Sequence, residues 1–387
     1  MIEVRARARH RLGQSPTRFL EHYWQKRPLV IRGAFADLSN PLPADQLAGL
    51  ACEADIQARL VVHDRKRDHY RLEHGPFDED RFAALGHHDW TLLVQDADKW
   101  LPDTVGGLLA EFGFLPRWRI DDIMISFAVP GGSVGPHVDQ YDVFLVQVEG
   151  RREWRIDARE DAPSACRPDQ ALRILECFEA SHVFVLEPGD MLYLPPGVPH
   201  HGVALDPCLT WSVGMRAPST AELAAGIADG LAEHLGEASR YCDPDLKPAR
   251  HPAELDGAAL ARARATLDMA LADDALLYSI LGDFLSRYRS AQVPAPRPRP
   301  IGAAAFGKRL LGKGELLRNP WSRMIWHRHG EAAVVHLGGE RYDASLELAR
   351  TLDCDGGVGL DAVRGLVASD LETLRSMINA GHLEIVR

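Results

Sequence analysis

His137 and Asp139 are separated by one residue, and both have side chains that bind metal ions. In a β-strand, residues two positions apart point to the same face and could bind one ion from the same side. The pair alone is a weak signal, since 17 histidines and 55 acidic residues in 387 positions give about two such pairs by chance. The chain has four, the others being His87/Asp89, His329/Glu331 and His382/Glu384.

The surrounding sequence distinguishes the first pair from the others. Residues 120–129 alternate between apolar and other side chains, which predicts a half-buried strand. A Pro-Gly-Gly break follows at 130–132, and the chain returns as a predicted strand over residues 137–148. Two such strands could line a pocket. The candidate lining residues are Asp122, Met124, Ser126, His137, Asp139 and Tyr141.

A third metal ligand is expected from a separate strand. Residues 183–202 contain two apolar runs around a Pro-Gly-Asp turn, and a proline-rich turn then leads to His200. His200 and His201 face opposite ways on an extended chain, so only one of them can join the other ligands. Two imidazoles and one carboxylate on one side of a metal form the facial triad of non-haem iron(II) oxygenases.

Five stretches, in the same order along the first 218 residues, carry a more specific resemblance. They are WQKRPLVIRGAF (24–35), WRIDDIMISFAVPGGSVGPHVDQYDVFLVQ (118–147), GRREWRI (150–156), LEPGDMLYLPPGVPH (186–200) and SVGMRAP (212–218). They resemble the JmjC branch of the 2-oxoglutarate oxygenases. Within that branch, they are similar to the bacterial ribosomal oxygenases that hydroxylate an arginine of a large-subunit ribosomal protein.

The resemblance implies a role for each site residue. The metal ligands would be His137, Asp139 and His200, because the family's Pro-x-Gly-x-Pro-His pattern ends at His200 rather than His201. Arg152 would hold the far carboxylate of 2-oxoglutarate, a task that suits the bidentate guanidinium, and Ser126 would belong to the same co-substrate site. The alternative is that Arg151, Arg152 and Arg155 are solvated charges on an edge strand.

The same resemblance assigns three residues to the substrate. Asp122 would pair with a guanidinium, Met124 would pack on its methylene stem, and Tyr141 would stack on its plane. The alternatives are that Asp121 or Asp122 caps a turn and that Met124 belongs to the core.

The implied reaction uses Fe(II), 2-oxoglutarate and O2, hydroxylates the β-carbon (C3) of an arginine, and releases succinate and CO2. A lysine demethylase or a histidine hydroxylase of the same superfamily is the alternative within catalysis. A non-catalytic cupin-like binding or regulatory module and a zinc or manganese cupin isomerase are alternatives of other classes.

Composition limits the partners and the compartment. The formal net charge of −11 favours a basic partner such as a ribosomal protein over nucleic acid. The six cysteines form no C-x-x-C pair, which indicates a reducing compartment and argues against a zinc knuckle. The N-terminus lacks a signal-peptide pattern, and the longest apolar runs are too short for a membrane span, so we expect a cytoplasmic protein.

The expected fold class is α+β. The resemblance implies a double-stranded β-helix (a cupin or jelly-roll JmjC barrel) with flanking helices in residues 1–217. Residues 218–291 are predicted to be helical, with one long helix over about 258–288, and the family uses this region to form a homodimer. Residues 292–302 are predicted as a proline-rich linker. Residues 303–387 would form a winged-helix-like domain.

DNA binding by this C-terminal domain is not expected. Residues 300–387 contain eleven Lys plus Arg and eleven Asp plus Glu, so they lack a basic surface for phosphates.

Overall fold

The computed structural model describes residues 2–7, 10–38, 42–236, 240–354 and 356–386. The chain divides into two units, Met1–Ala217 and Pro218–Arg387. Each unit has its own buried apolar core.

The first unit is mainly β-structure. Its strands are β1 (Glu3–Arg5), β2 (Leu29–Arg32), β3 (Ala58–Asp64), β4 (His69–His74), β5 (Trp90–Val94), β6 (Ile123–Ala128), β7 (Asp142–Glu149), β8 (Arg152–Ile156), β9 (His182–Leu186), β10 (Met191–Leu194), β11 (His200–Ala204) and β12 (Cys208–Met215). Its helices are α1 (Pro16–His22), α2 (Ala44–Leu50), α3 (Glu79–Ala83) and α4 (Ala97–Trp100), with 3₁₀ helices at Gly106–Phe112 and Arg117–Arg119.

These strands form two sheets. The larger sheet has the order β1-β2-β10-β7-β12-β6-β5-β3-β4, and the smaller has the order β11-β8-β9. Pairing between neighbours is antiparallel except between β1 and β2. The predicted double-stranded β-helix with flanking helices is confirmed.

The side chains of β7 show why this strand is apolar along most of its length. Val143 and Leu145 pack in the core between the two sheets, together with Trp154 of β8. Phe144 and Val146 point to the other face, where they share a core with residues of α1 and α2. A strand buried on both faces loses the usual alternation, and each such side chain contributes about 1.5–3 kcal/mol by burial.

The second unit contains helices and two small sheets. Its helices are α5 (Thr220–His234), α6 (Gly257–Leu271), α7 (Asp274–Arg287), α8 (Ala303–Leu310), α9 (Leu346–Leu352), α10 (Leu360–Val363) and α11 (Ala368–Asn379). Its strands are β13 (Glu315–Arg318), β14 (Met324–His329), β15 (Ala332–Leu337), β16 (Glu340–Ser345), β17 (Val358–Gly359) and β18 (Leu383–Val386), in the orders β17-β13-β18 and β14-β15-β16. The winged-helix arrangement stays a prediction.

One local expectation needs correction. The single helix over 258–288 is broken after α6, because the Asp273 side chain accepts hydrogen bonds from the N–H groups of Ala275 and Leu276 and so caps α7. The polar segment 64–80, for which no strand was predicted, contains β4, which pairs with β3 as a hairpin.

The proline-rich segment 292–302 lies within the second unit and is packed against its C-terminal part. The backbone N–H of Arg297 donates to the Asn379 carbonyl, and the N–H of Ile301 donates to the Asn379 side chain. Ile301 is also buried in the core of this unit. The segment is therefore held in place, whereas a free spacer would make no such bonds.

Candidate active site

The predicted metal ligands come from a loop and a strand end, which corrects the expected strand over residues 137–148. Strand β7 begins only at Asp142. Ahead of it, His137 and His200 form an isolated antiparallel bridge in which each backbone N–H donates to the other carbonyl, at 3.0 and 2.9 Å. This long-range bridge, rather than strand alternation, fixes the two histidines beside each other.

His137, Asp139 and His200 lie together as predicted from the sequence. One ligand atom from each lies within 4.8 Å of the others, and this is the only such group of three among the residues that the structure describes. Asp139 Oδ2 is 3.9 Å from His137 Nε2 and 3.7 Å from His200 Nε2. Metal–ligand bonds are about 2 Å long, so two atoms bound to one ion lie at most about 4 Å apart. Both separations fall within that limit.

Backbone carbonyls orient both imidazoles. His137 Nδ1 lies 2.9 Å from the Gly135 carbonyl, and His200 Nδ1 lies 2.9 Å from the Val198 carbonyl. A carbonyl only accepts, so each Nδ1 carries the proton and each Nε2 keeps its lone pair for a metal. Burial lowers the pKa of His200 to about 4, which keeps this ring neutral at pH 7.

His201 lies outside this group, as expected from strand alternation. Its ring meets Phe178 edge-on at 6.1 Å, and its buried Nε2 has no hydrogen-bond partner in the described part of the chain. Burial lowers the pKa of His201 to about 4 as well. His201 therefore serves as a neutral packing residue, and the two adjacent histidines have different surroundings.

Arg152 is buried and lies on the same face of the smaller sheet as His200. His200 pairs with Ile156 and Ala204 pairs with Arg152, so His200 and Arg152 project from the same face of the paired strands β8 and β11. Arg152 Nη1 donates to Ser126 Oγ at 3.4 Å. Its Nε and Nη2 are buried without a hydrogen-bond partner among the described residues.

A buried guanidinium with unused donors is costly unless an anion is bound to it. The Arg152 site therefore fits a carboxylate. The neighbouring arginines are different: Arg151 is exposed and paired with Asp206, and Arg155 is exposed and paired with Glu153. Arg151 and Arg155 are thus solvated charges, although β8 is the central strand of its sheet and not an edge strand, and Arg152 is not a solvated charge.

Met124 lies on the face of β6 opposite its core residues Ile123 and Ile125. Asp122 directly precedes this strand. Asp122 is 9 % exposed, and its Oδ2 accepts hydrogen bonds from Gln95 Nε2 (3.1 Å) and the Asp96 backbone N–H (3.0 Å). Burial raises the pKa of Asp122 to about 6. Met124 packs against a small apolar cluster that includes Ile174. Both residues thus have structural contacts in addition to any substrate contact.

Tyr141 lies between groups of opposite charge. The guanidinium carbon of Arg216 lies over its ring, 5.5 Å from the ring centroid. Burial, followed by the negative charges of Asp139 and Asp122, raises the pKa of Tyr141 above its usual value. The Tyr141 ring is therefore neutral, is covered on one side by Arg216, and lies near the predicted metal ligand Asp139.

Three residues beside the predicted substrate residues were missed by sequence reasoning. Arg59 and Gln95 contact the predicted substrate residues from β3 and from the end of β5, and Arg216 stacks on Tyr141. Arg216 stood inside the recognised stretch 212–218, which was a usable signal. Arg59 and Gln95 had no spacing pattern that linked them to the site.

The other histidine groups make ordinary structural contacts. His63 stacks on Tyr70 with ring centroids 4.1 Å apart, and its Nε2 lies 3.1 Å from Asp68. His382 bonds to Ser322 through Nδ1 at 2.8 Å. These contacts show that His63 and His382 serve packing and hydrogen bonding.

Comparison with known proteins agrees with this geometry. A JmjC domain profile matches residues 107–223. The chain is 42% identical over 326 residues to the ribosomal protein uL16 3-hydroxylase of Escherichia coli (strain K12), covering 84% of this chain and 85% of that protein.

Two solved structures of YcfD, a ribosomal oxygenase from Escherichia coli, also match. One is in complex with cobalt and 2-oxoglutarate (35% identity) and the other with cobalt and succinic acid (34% identity). Each match has a TM-score of 0.84 and covers 97% of this chain and 99% of that chain. With a relative of this identity and coverage and a shared fold along nearly its whole length, the chain belongs to the JmjC-domain ribosomal oxygenases.

Proposed function

We propose that this ribosomal oxygenase is an Fe(II)- and 2-oxoglutarate-dependent hydroxylase that oxidises C3 of an arginine in a large-subunit ribosomal protein, with succinate and CO2 as co-products. The observation that carries the proposal is the pairing of the His137, Asp139 and His200 group with the buried, partly unpartnered guanidinium of Arg152. The E. coli relative named as a uL16 3-hydroxylase supports the substrate class and the position of attack. The chain's net charge of −11 favours such a basic partner.

His137, Asp139 and His200 would hold the iron. Two neutral imidazoles and one carboxylate from one side match the facial triad that leaves other positions open. The YcfD structure with cobalt and 2-oxoglutarate supports a metal and co-substrate of this kind. Bound iron supplies the oxidation by O2, coupled to decarboxylation of 2-oxoglutarate. The carbonyl contacts at Nδ1 leave Nε2 of each histidine free to bind the metal.

Arg152 and Ser126 would bind the far carboxylate of 2-oxoglutarate. The two unused donors of Arg152 can form a charge-assisted pair with a carboxylate, which is stronger than a neutral hydrogen bond. Ser126 Oγ already accepts a hydrogen bond from Arg152 and can turn its proton toward the same anion. Trp154, whose ring centroid is 5.9 Å from the guanidinium carbon, helps to exclude water from this end of the site.

Asp122, Met124 and Tyr141 would hold the substrate arginine. Asp122 supplies the negative charge, Met124 an apolar wall, and Tyr141 a flat ring. Both Asp122 and Met124 face the side of β6 that also carries Ser126, because alternate residues of a strand share a face. This common face supports placing the substrate next to the co-substrate.

The decisive experiment combines the purified protein with Fe(II), ascorbate, 2-oxoglutarate and arginine-containing ribosomal peptides. A gain of one oxygen atom in a peptide, matched by succinate formation, supports the proposal. Tandem mass spectrometry then tests whether the oxygen is on C3 of arginine. Oxidation of histidine peptides or loss of methyl groups from lysine peptides would replace the arginine assignment, and no turnover with bound metal would overturn the hydroxylase.

The affinity for a cationic substrate is expected to depend on the ionisation of Asp122. Its pKa is raised to about 6 mainly by burial, while the charge of Lys99 acts in the opposite direction. Asp122 is therefore mostly ionised at pH 7 and mostly protonated at pH 5, so the KM for an arginine peptide should rise about tenfold between these values.

This pH effect is measured as KM against pH, with metal content determined at each pH. Asp122→Asn should show a high KM that no longer changes over this range. A wild-type KM that stays constant from pH 7 to 5 would contradict the proposed role of Asp122.

We also infer a homodimer formed through the helical residues 218–291. The helix α6 has no buried side chain. On one side of the helix it exposes Leu260 at 48% and Leu267 at 61%. Apolar side chains at this exposure are expected to be covered by a partner, and a second copy of the chain is the proposed one.

Sedimentation measurements on the wild type and two variants test this inference. Leu267→Asp should shift the protein from dimer to monomer, because it would bury an unpaired charge at the interface. Ala265→Asp places the same charge elsewhere on α6 and should leave the dimer intact. A monomeric wild type would contradict the inference.

The location of the protein follows from its proposed substrate. Within the described ranges, no helix is long and apolar enough to cross a bilayer. We propose that the protein works in the cytoplasm, where ribosomal proteins are made and assembled.

A further inference from the structure

Arg59 lies behind the proposed substrate cleft and contacts two parts of it at once. Its Nη2 donates to Gln95 Oε1 at 2.9 Å and lies 3.6 Å from Met124 Sδ. Arg59 belongs to β3, and Gln95 follows the adjacent strand β5 in the larger sheet. The guanidinium is thus held against the wall of the cleft by a specific pair of contacts.

The contact with Arg59 fixes the orientation of the Gln95 amide. An arginine side chain has donors and no acceptor, so the amide oxygen of Gln95 must face Arg59. The amide nitrogen then faces Asp122 and donates to its Oδ2 at 3.1 Å. Reversing the amide would bring two donors together at one end and two acceptors together at the other.

The result is a carboxylate held in one orientation. Asp122 Oδ2 already accepts from Gln95 and from the backbone N–H of Asp96. Asp122 Oδ1 lies beside Gly214, where an added Cβ would be 3.5 Å away. Oδ2 is therefore committed to the protein, and Oδ1 is the oxygen that remains for a cationic ligand.

We propose that Arg59 and Gln95 are positioning residues that set the specificity of the cleft for an arginine side chain, by holding Asp122 Oδ1 and the Met124 thioether toward the substrate. This inference rests on the proposed function. Neither residue touches the substrate. Each acts through a residue that does, so its loss affects substrate binding rather than the chemical step.

The charges around the cleft support this role over a direct one. The Arg216 guanidinium carbon lies 5.5 Å from the centroid of the Tyr141 ring, and the Arg59 guanidinium contacts Met124, so two cations already lie beside the proposed substrate residues. A substrate guanidinium entering beside them needs the full negative charge of Asp122, correctly aimed. If Arg59 instead occupied the substrate position and had to be displaced, its removal would tighten binding.

The test compares steady-state kinetics of full-length iron-loaded variants on an arginine-containing ribosomal peptide that the wild type hydroxylates. Arg59→Met and Gln95→Leu should each raise the KM for the peptide about tenfold, the cost of losing one hydrogen bond to a charged group. The kcat at saturating peptide and the KM for 2-oxoglutarate should stay close to the wild-type values. Gln95→Glu keeps the shape but puts a second carboxylate against Asp122, and should raise the peptide KM at least as much.

Arg67→Met is the matched control, because it removes an exposed arginine from the same hairpin, where Arg67 forms a surface ion pair with Asp64. It should leave the peptide KM unchanged. Melting curves and 2-oxoglutarate affinity verify that each variant is folded.

The outcomes separate this inference from the proposed function. Wild-type turnover with unchanged peptide KM in Arg59→Met and Gln95→Leu overturns the inference and leaves the function standing. A lower KM in Arg59→Met also overturns it, because Arg59 would then compete with the substrate. Absence of arginine hydroxylation by the wild type itself overturns the proposed substrate and the inference with it.

Discussion

His200→Ala is expected to remove metal binding and turnover, whereas His201→Ala should leave both close to the wild-type values. His200 Nε2 lies 3.7 Å from Asp139 Oδ2, and its Nδ1 contacts the Val198 carbonyl. His201 is the next residue along β11, but it packs against Phe178 instead. Loss of a metal ligand should lower the metal affinity by more than about 100-fold, since even a residue that only orients a ligand contributes 10- to 100-fold.

Calorimetric titration with Co(II), which stands in for Fe(II) without oxidation, measures this difference. Both variants delete an imidazole from the same strand, so the pair controls for the general cost of the substitution. Circular dichroism confirms that each is folded. Strong Co(II) binding by His200→Ala, or its loss in His201→Ala, would contradict the assignment of the ligand.

Arg152→Met is expected to raise the KM for 2-oxoglutarate by about 100-fold or more. Breaking a buried charge pair costs about 3–5 kcal/mol, and the Arg152 guanidinium is buried at 7% exposure with two unused donors. Arg151→Met removes an arginine from the preceding position, where the guanidinium is exposed and paired with Asp206. Because exposed pairs contribute about 0–1 kcal/mol, this control should keep the wild-type KM.

The same variant gives a second readout that does not depend on activity. Without a bound anion, Arg152 is a buried charge whose donors are incompletely satisfied, and replacing it by Met removes that cost. We therefore expect the melting temperature of the co-substrate-free protein to stay the same or rise in Arg152→Met. With a divalent metal present in both samples, added 2-oxoglutarate should raise the melting temperature of the wild type and not of the variant. A wild-type affinity for 2-oxoglutarate in Arg152→Met would refute the anchor role.

Some features of the site follow directly from the sequence because they depend on local rules. Alternation along residues 120–129 placed Ile123 and Ile125 in the core and Met124 and Ser126 on the other face, as the structure has them. Alternation also separated His200 from His201. The start of α5 also follows a local rule, because Ser219 and Glu222 form a capping box there.

Other local predictions were wrong where tertiary contacts outweighed the local pattern. His137 was expected to lie in a strand over residues 137–148. It instead forms an isolated bridge with His200, and β7 begins only at Asp142. Strand β4 was missed because most of its side chains are polar. Its pairing with β3 stabilises the strand despite this composition. A long helix was expected where Asp273 begins a new one.

The sequence by itself determined the ligand types, their order along the chain and the family resemblance, because these depend on residue identity and short spacing. Only the tertiary structure decided that Arg152, and not Arg151 or Arg155, is buried facing the interior with free donors. It alone connected Arg59 and Gln95 with Asp122. Burial and long-range hydrogen bonding depend on which strands become neighbours, and no local pattern contains that information.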